Sequence, residues 1–339
     1  MNTDTLSSPD TAGAPYARLT PDCVLDALDG VLGFAGQRTD GRILTLNSYE
    51  NRVYQIGVED AAPVIAKFYR PERWTDEAIL EEHAFVAELA AHEIPAVPAL
   101  AFNDCTLHRF EGFRFALFAR RCGRAPELGN SDTLKWMGRF IGRIHAAGAT
   151  RPYRARPAID IQTFGYEPRT FLLEHDLVHA DVREAWNAAA TLALQCVEAA
   201  FERAGDVRTL RLHGDCHGGN ILWTDAGPHF VDFDDSRMGP AIQDLWLLLP
   251  GERTLATRAL SDLLAGYENF CEFAPREVSL IEALRTLRLI HYSAWLARRW
   301  ADPAFPAAFP WFNTQRYWED RVLELREQIG AMQEEPLSL

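Results

Sequence analysis

Apolar residues recur along this chain in two periods, and the change from one to the other divides it. Thr20-Pro21-Asp22 has the form of a helix start, with Thr as N-cap and Pro at the first position, and predicts a short helix to about residue 30. The segments RILTLNSYENRVYQIGV and PVIAKFY are rich in β-branched and aromatic residues and broken by polar turns. They predict three antiparallel strands over about 42–47, 51–58 and 63–69. Thr75 then caps DEAILEEHAFVAELAAH, where Ile79, Leu80, Phe85, Val86 and Leu89 recur at helical spacing until Pro95 and Pro98 close the run. TLHRFEGFRFALFAR reads as a hairpin turning at Glu111-Gly112.

From Ser131 the period becomes helical. DTLKWMGRFIGRIHAAG places Leu134, Met137, Ile141 and Ile144 on one face and ends in His145 and Gly148. A second long helix is predicted over about 181–204, and further helices over about 241–249, 256–272, 276–301 and 315–332. Short strands at about 209–213, 220–224 and 229–233 interrupt them. The layout predicts an α+β, two-lobed architecture. A flexible tail at 1–18 precedes a small antiparallel β-rich N-lobe at 19–120 and a larger, mainly helical C-lobe at 121–339, with a ligand expected between the lobes.

Composition narrows the function without naming it. The 339 residues are 47% hydrophobic and 24% charged, in the range of ordinary globular chains. A formal charge of −14 argues against gripping nucleic acid. The longest apolar runs, such as DLWLLLP, are too short to span a bilayer, and the polar first residues lack the basic and apolar regions of a secretory signal. The expectation is a cytoplasmic monomer with no nucleic-acid or membrane partner. Six cysteines without a C-x-x-C pair predict reduced thiols.

The chemistry concentrates in RLHGDCHGGNILWTDAGPHFVDFDDSRMG, Arg211 to Gly239. A zinc site would use His213 and His217, but Gly214, Gly218 and Gly219 make the span a loop, and no second Cys/His cluster closes a ligand set. A hydrolase would need a nucleophile elbow of the G-x-S-x-G kind, which is absent. Phosphoryl transfer needs positioning and cations rather than covalent help. Kinase loops carry His-x-Asp, four residues, then Asn, and His213-Gly214-Asp215 is followed by four residues and Asn220. Asp232 follows the apolar HFV, where a metal-binding carboxylate is expected. Upstream, Lys67 in VIAKFY takes the phosphate-binding strand position. Glu82 is its expected partner, with Glu81 next in order. The bend NSYEN (47–51) falls where a loop covers the phosphates but contains no glycine, so Ser48 and backbone N–H groups would have to anchor them.

With these residues in place the chain resembles the aminoglycoside-phosphotransferase/choline-kinase-like superfamily, a branch of the protein-kinase-like fold. Within it, LNSYENRVYQ, KFYRPERWT, LRLHGDCHGGNILW and RRWADPAFPAAFPW are similar to a bacterial branch of cytoplasmic serine/threonine kinases with a stress-response role. The resemblance implies ATP as co-substrate, Asp215 as catalytic base, and Asn220 with Asp232 as Mg2+ ligands. It also implies Ser48 as a phosphate-loop contact, Lys67 at the α/β-phosphates and an adenine hinge near 118–121. His217, two residues after the base, is expected to help neutralise the transferred phosphate, and Asp244 to buttress the loop. One feature departs from protein kinases. Only FDDSRMGPAIQ separates Asp232 from Asp244, there is no A-P-E, and Gly214 replaces the arginine of H-R-D. The acceptor is thus either a protein Ser/Thr or a small hydroxyl compound of the aminoglycoside, choline or homoserine type. A non-catalytic nucleotide-binding regulator is the weaker alternative. HYSAWLARRWADPAFPAAFPWF (291–312) either walls an acceptor or partner groove or packs the last helices.

Overall fold

The computed structural model describes residues 15–339, so residues 1–14 of the expected tail lie outside it. The chain divides into two compact units. Among the described residues, the first comprises 15–74, 100–120 and 298–312, and the second 75–99, 121–297 and 313–339.

The first unit is a five-stranded antiparallel sheet in the order β1-β2-β3-β5-β4, with β1 Thr39–Leu46, β2 Arg52–Val58, β3 Ala61–Phe68, β4 His108–Phe110 and β5 Phe113–Ala119. Helix α1, Pro21–Leu32, begins as its sequence requires, with the Thr20 side chain accepting from the Cys23 N–H at 3.2 Å. Its Val24, Leu28 and Leu32 pack with Ile56, Phe68, Phe115 and Leu117 of the sheet in one core. Asp29 accepts the Thr39 N–H at 2.7 Å and fixes β1 to the helix.

The second unit is mainly helical. It holds α2 Asp76–Ala91, α3 Ser131–Gly148, α4 Glu167–Glu174, α5 Arg183–Ala204, α6 Ile242–Trp246, α7 Arg253–Tyr267, α8 Ile281–Arg298 (whose last residue clusters with the first unit) and α10 Gln315–Ala331; α9 Ala304–Ala308 belongs to the first unit. Two short antiparallel pairs complete it: β6 Thr209–Arg211 with β9 Met238–Pro240, and β7 Ile221–Thr224 with β8 Gly227–Phe230. Helices α3 and α7 approach to backbone contact. A Cβ on Gly138 would lie 1.9 Å from the Leu263 carbonyl oxygen, one on Gly142 2.5 Å from that of Tyr267, and one on Gly266 2.0 Å from that of Lys135. Glycine costs an isolated helix about 1 kcal/mol per residue; here it permits the close packing that sets Tyr267 beside His145.

Three local differences from the sequence reading bear on the site. The strand expected at 209–213 stops at Arg211, and the chain turns at Gly214, which adopts φ +88°. The strand expected at 229–233 runs instead over 227–230, and Asp232 stands beyond its end at φ 59° and ψ 62°. Strand β9 and the helical stretch over 162–174 carry no pattern strong enough to announce them. Among the described residues, no helix is long and apolar enough to cross a membrane.

Candidate active site

The segment after β6 is held by side chains from three helices. Asp244, at the start of α6 and 1% exposed, accepts the His213 N–H at 2.8 Å and the Gly214 N–H at 2.9 Å through separate oxygens. The oxygen facing His213 also meets His145 Nε2 at 3.0 Å, and His145 Nδ1 meets the Tyr267 hydroxyl at 2.9 Å. Gln243 donates to the Gly214 carbonyl at 3.2 Å and accepts from the Trp246 indole at 3.1 Å. The buried His213 ring packs on Phe233 and reaches the Val231 carbonyl at 2.9 Å. A side chain at position 214 is excluded twice, by the left-handed backbone and by the Asp235 carbonyl oxygen, 2.1 Å from where a Cβ would stand. Glycine takes the place of arginine there because the loop packs directly against the chain that follows Asp232.

This frame presents Asp215, His217 and Asn220 together. Asp215 is half-buried; one oxygen pairs with Arg288 Nη1 at 2.8 Å and the other lies 3.5 Å from His217 Nε2. Burial pushes its carboxyl upward, but the His217 hydrogen bond and the Arg288 charge outweigh it, and its pKa lies below the ordinary value. His217 Nδ1 accepts the Gly219 N–H at 2.9 Å, which leaves the ring proton on Nε2, facing Asp215. Asn220 donates through its amide nitrogen to the Asp215 carbonyl at 3.0 Å, so its side-chain oxygen is presented away from that bond. The Val231 N–H donates to the Asn220 carbonyl at 3.0 Å and carries the chain on to exposed Asp232. Cys216 points the opposite way, into the core at 1% exposure, where burial pushes its thiol well above the usual range.

A second set of bonds fixes the segment after Asp232. The Arg156 guanidinium donates to the Ala78 carbonyl of α2 at 2.9 Å and to the Asp234 and Ser236 carbonyls at 3.0 and 2.5 Å. The Ser236 hydroxyl donates to the Leu212 carbonyl at 2.5 Å and meets the Tyr153 hydroxyl at 2.7 Å. Arg211 donates to Glu88 of α2 at 2.9 and 3.3 Å and lies over the Phe85 ring. On the same helix Glu82 is buried, while the Glu81 carboxylate accepts the Arg154 and Ala155 N–H groups at 2.8 and 2.9 Å. Of the two acids the sequence offers at this point, Glu81 is thus committed to the chain beneath it.

In the first unit, Lys67 is 7% exposed on β3, between Val53 of β2 and Ala116 of β5. Ser48 lies half-buried in the bend between β1 and β2. That bend has its own brace. Glu50 pairs with Arg299 at 2.6 Å, Arg70 at 3.7 Å and Arg73 at 3.8 Å, and Asp302 pairs with Arg70 at 3.0 Å and Arg52 at 3.3 Å. The Tyr49 ring packs on Phe309 at 4.9 Å. Residues 298–312 therefore hold a glycine-free bend through ion pairs and buried aromatics, with Phe305, Phe309 and Phe312 all in the interior.

The structure thus gathers Asp215, His217, Asn220 and Asp232 on one loop system and sets Glu82 on α2 of the same unit, while Ser48 and Lys67 belong to the first unit. Arg288, His145, Tyr267 and Arg156 escaped the sequence reading. They act across 73 or more residues and carry no local motif; the one available signal was the pair Gly138 and Gly142 inside an otherwise strong helix. Among the described residues, no three His, Cys, Asp or Glu side chains are grouped to hold a metal ion. Asn220 and Asp232 nevertheless fit magnesium, which takes hard oxygen ligands and binds through one or two protein groups plus phosphate and water.

A helical unit presenting such a loop, with a five-stranded antiparallel sheet bearing a buried lysine, defines a kinase-like phosphotransferase. Residues 42–281 match the model of the phosphotransferase enzyme family, and the chain belongs to it. It is 44% identical over 324 residues to stress response kinase A of Escherichia coli K12, a match covering 96% of this chain and 97% of that protein. It is 43% identical over 326 residues to the serine/threonine protein kinase RdoA of Salmonella typhimurium, with the same coverage. Among solved structures, the amicoumacin kinase hAmiN, in complex with AMP-PNP, Ca2+ and Ami, superposes with a TM-score of 0.67 at 18% identity over 88% of this chain and 90% of its own, a likeness of fold. The protein is an enzyme of the kinase class.

Proposed function

We propose that the enzyme transfers the γ-phosphoryl group of ATP to the hydroxyl of protein serine or threonine, in a cytoplasmic stress-response role. The observation that carries this reading is the loop frame around Asp215. A carboxylate kept ionised, on a backbone fixed at two successive N–H groups, is what steering a hydroxyl toward phosphorus requires. Lys67 is assigned to the α/β-phosphates, Ser48 and the neighbouring N–H groups to the phosphate loop, and Glu82 to orienting the donor side. Asn220 and Asp232 would hold magnesium, which when bound offsets charge on the phosphates. Asp215 accepts the hydroxyl proton, and His217 orients Asp215 besides facing the transferred group. The protein acceptor rests on identity with relatives named as serine/threonine and stress response kinases.

A second reading, a small-molecule acceptor, is favoured by the short path from Asp232 to Asp244. It is filled by β9 and close turns, with no long segment to shape a peptide site. Incubation with γ-labelled ATP and three acceptors in parallel separates the readings: the protein itself, a basic protein, and amino-sugar or choline-type compounds. Label on serine or threonine supports the first, and label confined to small molecules supports the second. Intact ATP binding with no label would leave a nucleotide-binding regulator and refute both.

A further inference from the structure

Besides helping to keep Asp215 ionised, Arg288 occupies one of its two carboxylate oxygens. Arg288 lies on α8, and the residues at helical spacing after it, His291, Tyr292 and Trp295, share its half-exposed face. Beyond Glu282 this helix contains no acidic residue while carrying Arg285, Arg288, His291 and Arg298. The basic character continues around Asp215. The His291 ring stacks on Phe164 at 4.1 Å, and the Arg237 guanidinium lies over the same Phe164 ring, 5.0 Å from its centroid. Arg237 also faces Asp235, an acid whose charge acts on Asp215, at 3.6 Å. Arg288 itself is 43% exposed and reaches Asp215 with one nitrogen, Nη1, at 2.8 Å.

This arrangement has a consequence for the acceptor. Both oxygens of Asp215 face a donor, one on Arg288 and one on His217. A hydroxyl that approaches Asp215 must share or displace the Arg288 contact, and the guanidinium then needs another anion. A carboxylate or phosphate on the acceptor meets that need in a bidentate geometry. An ammonium group there would instead face Arg288 directly. We propose that Arg288 selects the acceptor, and that the acceptor carries an anionic group close to the hydroxyl that receives the phosphoryl group. The proposal rests on the phosphotransfer reading above. In the step, the acceptor oxygen bonds to the γ-phosphorus as the bridging bond to the β-phosphate breaks. ADP leaves with that electron pair, and the hydroxyl proton passes to Asp215. Arg288 holds the neighbouring anion throughout and exchanges no proton.

The test uses γ-labelled ATP and two matched acceptor pairs: a serine peptide flanked by glutamates against one flanked by lysines, and glycerate against ethanolamine. The enzyme is used as wild type and as Arg288→Lys, Arg288→Ala and Arg288→Glu. The wild type should favour the anionic member of a pair by about tenfold or more in kcat/KM, the size of a single charge-pair effect of about 1.4 kcal/mol. Lysine should keep most of the preference, alanine should abolish it and glutamate should reverse it, with KM for ATP unchanged in all. The pair in which the preference appears identifies whether the anion belongs to a peptide or a small molecule. Equal use of both members by the wild type, or an acidic preference that survives Arg288→Glu, overturns the proposal while leaving phosphotransfer intact. No label in any acceptor overturns both.

Discussion

Asp244 should be the structural keystone of the loop, and its removal gives the sharpest quantitative expectation. Its carboxylate accepts three hydrogen bonds at 2.8, 2.9 and 3.0 Å, from the His213 and Gly214 N–H groups and from His145. At 1% exposure, water cannot replace it without opening the core. Leaving a buried donor unsatisfied costs about 1–3 kcal/mol, so Asp244→Ala, which strips the acceptor from three of them, should lower stability by at least about 3 kcal/mol. Asp244→Asn keeps one acceptor oxygen and turns an amide toward a remaining donor, and should cost about 2–3 kcal/mol. Urea unfolding followed by circular dichroism measures both. Displacing the Asp215 backbone by about 1 Å also costs rate on the order of a hundredfold, so kcat should fall at least that far in folded Asp244→Asn, with ATP affinity nearly unchanged. An unfolding midpoint within error of wild type, or kcat within about twofold, would refute this account of the loop.

Three further outcomes follow from the same geometry. Gly214→Ala places a Cβ 2.1 Å from the Asp235 carbonyl oxygen at φ +88°, so it should cost more than the 1 kcal/mol or so of an open left-handed site and abolish transfer, checked by melting and label incorporation. Asp302→Ala removes the buried partner of Arg70 beside the Glu50 cluster and should destabilise by up to about 3–5 kcal/mol while raising KM for ATP, since the phosphate bend loses its brace. Glu277 is buried and its carboxyl is pushed above the usual range by desolvation, although it accepts the Ile242 N–H at 3.0 Å. A raised folded pKa contributes stability below the unfolded value that is lost as pH rises through the folded one. Wild-type stability should therefore decline across that window, and Glu277→Gln, which keeps the acceptor oxygen, should flatten the decline in unfolding measured from pH 4 upward (roughly the ordinary glutamate range).

Much of the fold is legible in the sequence because its signals are local. Thr20 and Thr75 cap helices through contacts three residues away, and the alternation in β2 and β3 sets which side chains face the α1 core. The spacing of His213, Asp215 and Asn220 is likewise a property of one short loop. Other features have no local signature. Arg288 meets Asp215 across 73 residues, and His145 meets Asp244 across 99, so neither contact can be read before the helices are packed. The aromatic segment at 291–312 was open between a groove wall and packing. Its two halves divide, with His291 beside the Arg288 face and Phe305, Phe309 and Phe312 buried in the brace of the phosphate bend. Asp232 was expected at a strand end. It sits in a left-handed turn beyond it, a conformation aspartate tolerates better than most residues and one that strand propensity does not foresee.

The central claim is that Asp215 steers the acceptor hydroxyl while other residues bind the nucleotide. Asp215→Asn preserves shape and the contact with Arg288 through its amide oxygen, and removes the proton-accepting charge. Label transfer from γ-labelled ATP should fall by about a hundredfold to ten-thousandfold, while calorimetric ATP affinity in magnesium stays within about twofold. Transfer that persists near the wild-type rate, or ATP binding lost together with it, would contradict the account.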